Sequence, residues 1–404
     1  MEKKHVTIIG AGLSGLSAAL ALKARGMSYS ILEATNTIGG RAQTHVFPSG
    51  VAADLGPHWL HAEDSELGEF VRSQNLSGKE DKSEAMRIYE GGQVRSLSDD
   101  FMHHAINQTK ANAILSGKIN DLPLSQIGRN EPSRKVLQRF GQGWNGLQAP
   151  VEPSAYEFLT DESTPGGFQL TGGMASLVAA MADAVGREHI HLNRPVRSVT
   201  VSAWSAVVDG ERSDRAIVTA SLGVLRTGQL LLDPDLEMRI ASATQGLLVS
   251  RMNKIILELQ PDFFRSRKIP TDLSVQVLEN VPHFAHIRGA GSPLITLFTT
   301  GDRADYSETL SPAEALEYAK AVLAPVAELK DFESHLASEP VVTKWLSNPY
   351  ARGAYSALFP GYRRPEPFWQ GPIGVCGDSF DARFPGSLAG AFRSGKLLVD
   401  KLRG

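Results

Sequence analysis

Three glycines near the start of the chain have the spacing of a turn that binds a dinucleotide. Gly10, Gly12 and Gly15 lie between the apolar run "HVTII" and a stretch rich in Ala and Leu. The first permits a tight turn, the second lets the backbone approach a pyrophosphate, and the third allows a helix to pack closely on a strand. Glu33 follows about 20 residues later, where a carboxylate can accept hydrogen bonds from an adenosine ribose. The pattern predicts a dinucleotide with its phosphates at a helix N-terminus, and a glycine-rich turn without a ligand is the alternative.

A second pair of glycines bears on which dinucleotide is bound. Gly39 and Gly40 precede Arg41 in "TIGGRAQ". Two glycines let another loop approach a diphosphate, and a guanidinium can add a charge-assisted hydrogen bond to it. A Gly-Gly-Arg run at this place is not part of the NAD pattern. We therefore expect FAD rather than NAD.

Lys254 is a third residue that could take part in chemistry. It lies in "SRMNKIILELQPDFF", which alternates like a β-strand with Ile255 and Leu257 on one face and Lys254 on the other. Lysine is mostly exposed in proteins, and Glu258 on the same face could pair with it in water. On the strand alone, a solvated lysine is the favoured interpretation.

The elements around these residues predict an α/β fold. Residues 5–33 indicate a strand, a helix and a second strand, and the helix ends at Gly26, a suitable C-terminal cap. Gly91 and Gly92 predict the turn of a β-hairpin. The other expected elements are a helix in "MASLVAAMADAVG", strands around 251–259, 275–279 and 294–299, a helix from Pro312 to Val326, and a strand "GPIGVCGD" before a helix near Ser387.

The pieces typical of dinucleotide binding lie at both ends and in the middle of the chain. We therefore expect a discontinuous, Rossmann-like FAD-binding domain and a mixed α+β substrate-binding domain. The first is predicted to comprise residues 1–70, 165–246 and 346–404, and the second residues 71–164 and 247–345.

Composition excludes several other classes of protein. The 404 residues carry a net charge of −3 and no basic tract, so we expect no nucleic-acid partner. The single cysteine, Cys376, excludes an internal disulfide and a multi-cysteine metal site. No stretch has the length and hydrophobicity of a membrane span. We expect a soluble, cytoplasmic protein without a signal peptide or a membrane anchor.

Taken together, these motifs resemble the large family of FAD-containing amine oxidases, which includes monoamine oxidases, polyamine oxidases and flavin histone demethylases. The resemblance runs over most of the chain, although residues 70–150 carry little of it. It is carried, after the front glycines and "GGR", by "ADLGPHWLHA", "RPVRSVTV", "RAIVTASLGVLRTGQLLLDPDL", "MNKIILELQPDFF", "KWLSNPYARGAYSALFPG" and "GVCGDSFDARFPGSLAGAFRSGK".

The resemblance implies a set of cofactor-binding residues. In the family, the backbone at Val196 contacts the adenine, Asp378 lies near the ribityl chain, and the backbone of Leu388 lies at the flavin edge that becomes negative on reduction, where a helix N-terminus is favourable. The cofactor-binding residues that we expect are Gly10, Gly12, Ser14, Gly15, Glu33, Gly40, Arg41, Gly56, Pro57, His58, Trp59, Val196, Asp378, Ser387 and Leu388.

The resemblance also implies catalytic and substrate residues. Lys254 would face the flavin and bond through a water to its N5, and His61 would bind or deprotonate the substrate amine. Tyr355 and Trp345 are expected to line the substrate pocket, although Trp345 could equally be plain core. Ser387 occupies the place of a second tyrosine found in monoamine oxidases.

A further feature bears on the cofactor. Ala354 stands where covalent members of the family have a cysteine, so the FAD is expected to be non-covalent.

A Trp with two histidines, His58 and His61, could suggest a metal, but no third ligand has suitable spacing, and we expect no metal.

The expected reaction is oxidation of a primary or secondary amine, polyamine-like or other, by hydride transfer to flavin N5, with imine hydrolysis and reoxidation by oxygen to hydrogen peroxide. The partners are a small-molecule amine and oxygen or another electron acceptor, and a homodimer stays open. The alternatives are a desaturase or oxidase acting on a non-amine, and a flavoprotein isomerase or regulator without net redox turnover. Glu63, Asp64, Glu66 and Glu69 could attract a polycation, but the exposed face of a helix is the favoured interpretation.

Overall fold

The chain forms a mixture of strands and helices, and a computed structural model describes residues 4–61, 64–81, 85–98, 104–163, 167–278 and 283–402. The strands are β1 (His5–Ile9), β2 (Ser28–Leu32), β3 (Thr44–Val46), β4 (Ala52–Asp54), β5 (Gly78–Glu80), β6 (Ala85–Glu90), β7 (Gln93–Ser98), β8 (Phe168–Leu170), β9 (Ile190–His191), β10 (Ser198–Ser202), β11 (Ser205–Val208), β12 (Glu211–Ser213), β13 (Arg215–Val218), β14 (Leu231–Leu232), β15 (Leu247–Val249), β16 (Met252–Glu258), β17 (Leu273–Val277), β18 (His283–Ile287), β19 (Leu294–Thr300), β20 (Val341–Val342), β21 (Ser356–Leu358), β22 (Phe368–Gln370) and β23 (Ile373–Val375).

The described residues also form α-helices between these strands. They are α1 (Leu13–Ala24), α2 (Glu66–Ser73), α3 (Gln108–Leu115), α4 (Glu131–Trp144), α5 (Ala155–Thr160), α6 (Gly173–Val185), α7 (Leu222–Leu225), α8 (Pro234–Ala243), α9 (Pro261–Ser266), α10 (Asp302–Thr309), α11 (Pro312–Leu323) and α12 (Leu388–Asp400). Within the described residues, no helix combines the length and hydrophobicity that a membrane crossing requires.

The first sheet has the strand order β22-β23-β13-β1-β2-β9. Strand β1 runs parallel to β2 and β13, which confirms the predicted strand–helix–strand unit. Gly15 lets α1 start against this sheet, because a Cβ atom there would lie 2.0 Å from the carbonyl oxygen of Gly10. The strands of this sheet come from three separate parts of the chain, as expected for a discontinuous domain. The boundaries of the two domains stay a prediction.

Helix α12 brings the end of the described chain back to the first glycine motif. It packs on α1, where Ser17 donates a 2.6 Å hydrogen bond to the carbonyl of Phe392. A Cβ atom at Gly395 would lie 2.2 Å from the carbonyl oxygen of Ser14, so the two helices touch through their backbones. The sequence motifs at residues 10–15 and 387–395 are therefore neighbours in space.

The second sheet has the strand order β20-β16-β19-β18-β17-β6-β7. The predicted hairpin is confirmed, since β6 and β7 pair on either side of Gly91 and Gly92. Strand β18 was not predicted, because "HFAHI" contains two histidines and breaks the apolar alternation. One face of this sheet packs on the core that includes Ile255, Leu257 and residues of α11.

The other face of the second sheet presents an ordered row of side chains. Lys254 of β16 lies opposite Phe298 of β19. Phe298 is in turn paired with Phe284 of β18, and Phe284 with Gln276 of β17. All four line one cavity.

Candidate active site

A cavity of about 910 Å³ is lined by residues of both sheets. Ile9 and Leu32, at the carboxyl ends of β1 and β2, line it on one side, and Lys254 and Phe298 on the other. With the exception of Gly15, every predicted site residue lines this cavity: Gly10, Gly12, Ser14, Glu33, Gly40, Arg41, Gly56, Pro57, His58, Trp59, His61, Val196, Lys254, Trp345, Tyr355, Asp378, Ser387 and Leu388. Gly15 lies behind the turn, and the individual roles stay predictions.

Glu33 is held at the end of β2 by local hydrogen bonds. Its carboxylate accepts from the backbone N–H groups of Ala11 and Thr35, both at 2.9 Å, and from the hydroxyl of Thr35 at 2.8 Å. Only 7% of its surface is exposed. The acid is thus fixed beside the glycine turn, as its predicted contact with a ribose requires.

Asp378 and Arg41 form an ion pair at the cavity wall. Nη2 of Arg41 lies 2.7 Å from Oδ1 of Asp378, and Nη1 donates to the carbonyl of Ala354. The contact of Arg41 with a diphosphate stays a prediction. Oδ2 of Asp378 is buried and has no hydrogen-bond partner among the described residues.

Helix α12 begins at the cavity with Ser387 as its N-cap. The hydroxyl of Ser387 accepts a 3.1 Å hydrogen bond from the N–H of Gly390 and donates to the carbonyl of Phe384 at 2.9 Å. Leu388, the first helical residue, lines the cavity. Backbone N–H groups at such a terminus favour a negative ligand group.

Lys254 is buried, so the interpretation of a solvated lysine is wrong. Every residue of β16 is buried, because both faces of the strand are covered. Nζ of Lys254 donates a 2.8 Å hydrogen bond to the carbonyl oxygen of Asp54 and lies 5.3 Å from the ring centroid of Phe298. Burial lowers the pKa of Lys254 to about 7, against a smaller opposing effect of Asp54. Glu258 is also buried and accepts a hydrogen bond from Ser49, so it does not pair with Lys254 in water.

The two predicted histidines flank Trp59. The ring of His58 lies 4.4 Å from that of Trp59 at nearly a right angle, and the ring of His61 lies 6.1 Å from it. Burial, with a contribution from nearby Lys254, holds the pKa of His58 well below its usual value.

Two functional candidates, His286 and Asp81, were missed by sequence reasoning. Nδ1 of His286 lies 2.8 Å from Nε2 of His58, and Asp81 accepts a 2.6 Å hydrogen bond from Trp59 Nε1. His286 lies on strand β18, which was not predicted. In the sequence, the only indication of its role is that it follows Phe284 by two positions in "HFAHI". Asp81, Asp272 and His286 also bring potential metal-ligand atoms within 4.8 Å of one another.

An aromatic surface covers the part of the cavity near Lys254. The ring of Trp144 lies 5.0 Å from Phe284 and 5.8 Å from Trp59, and Phe284 lies 5.1 Å from Phe298. The aromatic side chains that line the cavity here are Trp59, Phe140, Trp144, Phe158, Phe284 and Phe298, hereafter the aromatic wall.

Tyr355 and Trp345 face the same cavity, but their polar atoms are already bonded. The hydroxyl of Tyr355 donates to the carbonyl of Trp144, and burial raises its pKa. Nε1 of Trp345 donates to the carbonyl of Leu55 at 3.0 Å. Both residues therefore present ring surface rather than a free donor.

The acidic residues after this segment belong to a helix. Glu66 and Glu69 lie in the first turn of α2, which Ser65 caps, and Glu66 bonds to Lys396. Neither glutamate lines the cavity. This arrangement supports the helix-face interpretation, while Glu63 lies outside the described residues.

The sequence model of the family described as flavin containing amine oxidoreductase matches residues 13–402. The chain belongs to this family. Membership confirms the predicted family and the FAD cofactor, and it agrees with the predicted class of flavin-dependent oxidoreductase.

Relatives of the chain are similar to it over nearly all of its length. Protein FLOWERING LOCUS D of Arabidopsis thaliana is 26% identical over 435 residues, which cover 98% of this chain and 54% of that protein. Polyamine oxidase 4 of Oryza sativa subsp. japonica is 25% identical over 449 residues, which cover 98% of this chain and 88% of that protein. The chain therefore spans about half the length of the first relative and most of the second.

Solved structures confirm the α/β fold class. Putrescine oxidase bound to putrescine superposes with a TM-score of 0.80 at 21% identity, over 98% of both chains. Cyclohexylamine oxidase from Brevibacterium oxydans IH-35A superposes with a TM-score of 0.77 at 22% identity, also over 98% of both chains. At 21% and 22% identity, these similarities show a shared fold and nothing further.

The residues of the cavity fit FAD. The unpartnered Oδ2 of Asp378 is the kind of buried polar atom that a ligand satisfies. A Cβ atom at Gly12 would meet no atom within 4 Å, so space is left beside the turn. Cys376 is fully buried, accepts a hydrogen bond from Ser14 at 3.1 Å, and has its pKa raised to about 12 by burial. Its thiol is thus unsuited to a covalent bond with the flavin.

Proposed function

We propose that this protein oxidises a primary or secondary amine with FAD as its cofactor. The observation that carries the proposal is Lys254, a buried lysine that lines the same cavity as the dinucleotide motif and the aromatic wall. The chemistry that a bound flavin supplies is acceptance of a hydride equivalent at N5 and its return to oxygen as hydrogen peroxide, while the imine hydrolyses in water. Family membership supports the same reaction class.

The chain's own residues position the amine and exclude bulk water. The aromatic wall, with Tyr355, forms an apolar surface on which an alkyl or aromatic group can pack, so that the C–H bond is held in one orientation. Lys254 is proposed to hold an ordered water at the reactive end of the cavity. His61, which lines the cavity beside Trp59, is proposed to bind the amine nitrogen.

The aromatic wall favours an amine with an apolar body over a linear polyamine. Two carboxylates at the cavity are paired with arginines: Glu157 with Arg364, at 2.7 and 3.0 Å, and Asp378 with Arg41. Six aromatic rings lie along the wall, so an alkyl or aromatic group can pack there. A second ammonium group placed against these rings would lose its hydration.

Anaerobic reduction of the bound flavin tests this proposal. The purified protein would be mixed with benzylamine, 2-phenylethylamine, cyclohexylamine, putrescine and spermidine while the flavin absorbance is followed. We expect bleaching by the first three at low concentration and weak or no bleaching by the last two. Bleaching by putrescine and spermidine alone would contradict the substrate preference but keep the reaction. A bound flavin that no amine reduces would contradict the reaction itself and favour an oxidoreductase of another substrate.

A further inference from the structure

A buried chain of three side chains leads away from the cavity wall at His58. Nε2 of His58 lies 2.8 Å from Nδ1 of His286, and Nε2 of His286 lies 3.3 Å from Oδ2 of Asp81. His286 has 1% of its surface exposed, and Nε1 of Trp59 donates to the same oxygen of Asp81 at 2.6 Å. The first and last of these three residues, His58 and Asp81, line the cavity.

The carboxylate at the far end favours one placement of the hydrogens on both imidazoles. A carboxylate only accepts, so a hydrogen on Nε2 of His286 is the one that Asp81 can accept when their contact shortens, and it leaves a lone pair on Nδ1. His58 then donates from Nε2, and its own lone pair lies on Nδ1. Nδ1 of His58 is buried and has no hydrogen-bond partner among the described residues. An unpartnered buried acceptor on a residue of the cavity wall is suited to receive a proton from a ligand.

The contact between His286 and Asp81 is longer than an ordinary hydrogen bond, and its Nε2 does not reach hydrogen-bond geometry in the free chain. Catalytic hydrogen bonds are often long before the substrate binds and shorten in the complex. A shortening of this contact in the complex would complete the connection from His58 to Asp81.

We propose that His58 accepts the proton that a substrate ammonium must lose before oxidation, and that His286 and Asp81 are positioning residues that carry this proton onward. One N–H bond of the ammonium breaks, and its proton binds Nδ1 of His58. The Nε2 proton of His58 moves to Nδ1 of His286, and the Nε2 proton of His286 moves to Asp81. The amine becomes neutral, Asp81 becomes protonated, and no electrons are transferred. This inference rests on the proposed oxidation of an amine.

The charges around His58, His286 and Asp81 explain why one imidazole alone would not hold the proton. Burial and neighbouring groups hold the pKa of His58 well below its usual value, so a proton left there would be poorly held. Transfer to a carboxylate at the other end removes the positive charge from the buried wall. The titratable groups that face His58 are Lys254, His61 and His286, and those that face His286 are His58, Asp81 and Asp272.

Nitrogen NMR of the FAD-bound protein, labelled with ¹⁵N-histidine, shows which nitrogen of each imidazole carries a hydrogen, and it needs no substrate. We expect His58 to be neutral at neutral pH, and we expect the hydrogen of each imidazole to lie on Nε2. Asp81→Asn keeps a carbonyl oxygen that can occupy the place of Oδ2, which both Trp59 and His286 approach, so the hydrogen of His286 should stay on Nε2 while residue 81 can no longer take up a proton. A Nδ1–H tautomer or an imidazolium at either histidine of the wild-type protein would overturn the relay, whether or not any amine is oxidised.

The pH dependence of anaerobic flavin reduction tests the transfer itself. When the site binds the abundant ammonium form and deprotonates it with the enzyme's own base, the second-order rate constant stays flat from about pH 7 to the pKa of the amine near 10. Without the relay, only the rare neutral amine reacts, and the rate constant rises about tenfold per pH unit. We expect Asp81→Asn and His286→Gln to lose about 1000-fold at pH 7, because about three pH units separate it from the pKa of the amine, and to regain the wild-type rate near that pKa.

His283→Gln is the matched control, because His283 lies on the same strand, is buried, and bonds to Tyr318 on the opposite face. It should keep the flat profile. A rising profile in the wild-type enzyme would overturn the proposal even if the variants fail to fold. Equal losses at every pH would assign His286 and Asp81 a structural role only, and a chelator-sensitive rate restored by a divalent metal would make the cluster a metal site instead. If no amine reduces the flavin, the proposed function fails. The tautomers of His58 and His286 measured by NMR then still test whether the hydrogens are placed as proposed.

Discussion

The side-chain nitrogen of Lys254 lies 2.8 Å from the carbonyl oxygen of Asp54, so strand β16 of the second sheet is bonded to strand β4 at the cavity wall. The carboxylate of Asp54 points elsewhere, accepting from Thr44 at 2.6 Å and from the N–H of Met174 at 2.7 Å at the start of α6. Lys254 is therefore a buried amine held by a neutral acceptor. A group in this setting can change its charge near neutral pH, which is an unusual property for a lysine.

Lys254→Met should leave the flavin bound and slow its reaction with oxygen. Methionine fills a similar volume, but it offers no positive charge to stabilise the charge that develops on oxygen as it is reduced. We expect the rate of reoxidation to fall by about 10- to 100-fold. Stopped-flow mixing of the reduced enzyme with oxygenated buffer measures this rate. Lys320→Met, on the exposed face of α11, is the control, and an unchanged rate in Lys254→Met would remove Lys254 from the reaction.

The reoxidation rate of the wild-type enzyme should also depend on pH. Burial lowers the pKa of Lys254 to about 7, so its cationic form is lost as the pH rises through this value. Because the cation is the form that stabilises reduced oxygen, we expect the rate to fall about tenfold between roughly pH 6 and pH 8. The same measurement on Lys254→Met should give a flat profile. A wild-type rate that rises with pH would contradict the proposed role of the cation.

Glycines of the first motif should respond differently to the same substitution. In Gly15→Ala, the new Cβ would lie 2.0 Å from the carbonyl oxygen of Gly10, so the helix must shift, and the protein should lose about 1–3 kcal/mol of stability. In Gly12→Ala, the Cβ meets nothing within 4 Å, and the backbone is extended, so the fold should persist. The lost space is where the dinucleotide is predicted, so flavin content should fall. Circular dichroism and the ratio of flavin to protein absorbance separate the two outcomes.

The first glycine motif could be predicted because its parts are close in sequence, and turn, helix start and acid need little tertiary context. Lys254 could not be assigned to a buried place from its strand, since only the pairing with Phe298 and the cover from Asp54 exclude water. The contact between His58 and His286 joins residues separated by 228 positions, and it depends on a strand that the alternation did not indicate. Local patterns therefore identified the cofactor turn, whereas the polar network behind the cavity required the assembled sheets.

Acid precipitation should release the flavin completely into the supernatant. Ala354 offers no nucleophile, and the only cysteine of the chain, Cys376, has its thiol buried with a pKa of about 12. The absorbance of supernatant and pellet measures the distribution. Flavin that stays with the pellet would contradict the prediction of a non-covalent cofactor, and a tryptic peptide carrying flavin would identify the attachment site.

The aromatic wall should contribute to affinity for amines with a ring. Phe284 is the central test, because its ring lies 5.0 Å from Trp144 and 5.1 Å from Phe298 and lines the cavity. In Phe284→Leu, much of the apolar volume stays but the ring contact is lost, which costs about 0.5–1.5 kcal/mol. We expect the dissociation constant of 2-phenylethylamine to rise about 3- to 10-fold and that of propylamine to change less than about twofold. The dissociation constants come from the concentration dependence of anaerobic flavin reduction, and Phe359→Leu, on the exposed surface, is the control. Equal weakening for both amines would mean that Phe284 supports the fold of the wall, and the preference for ring-bearing amines would then need another origin.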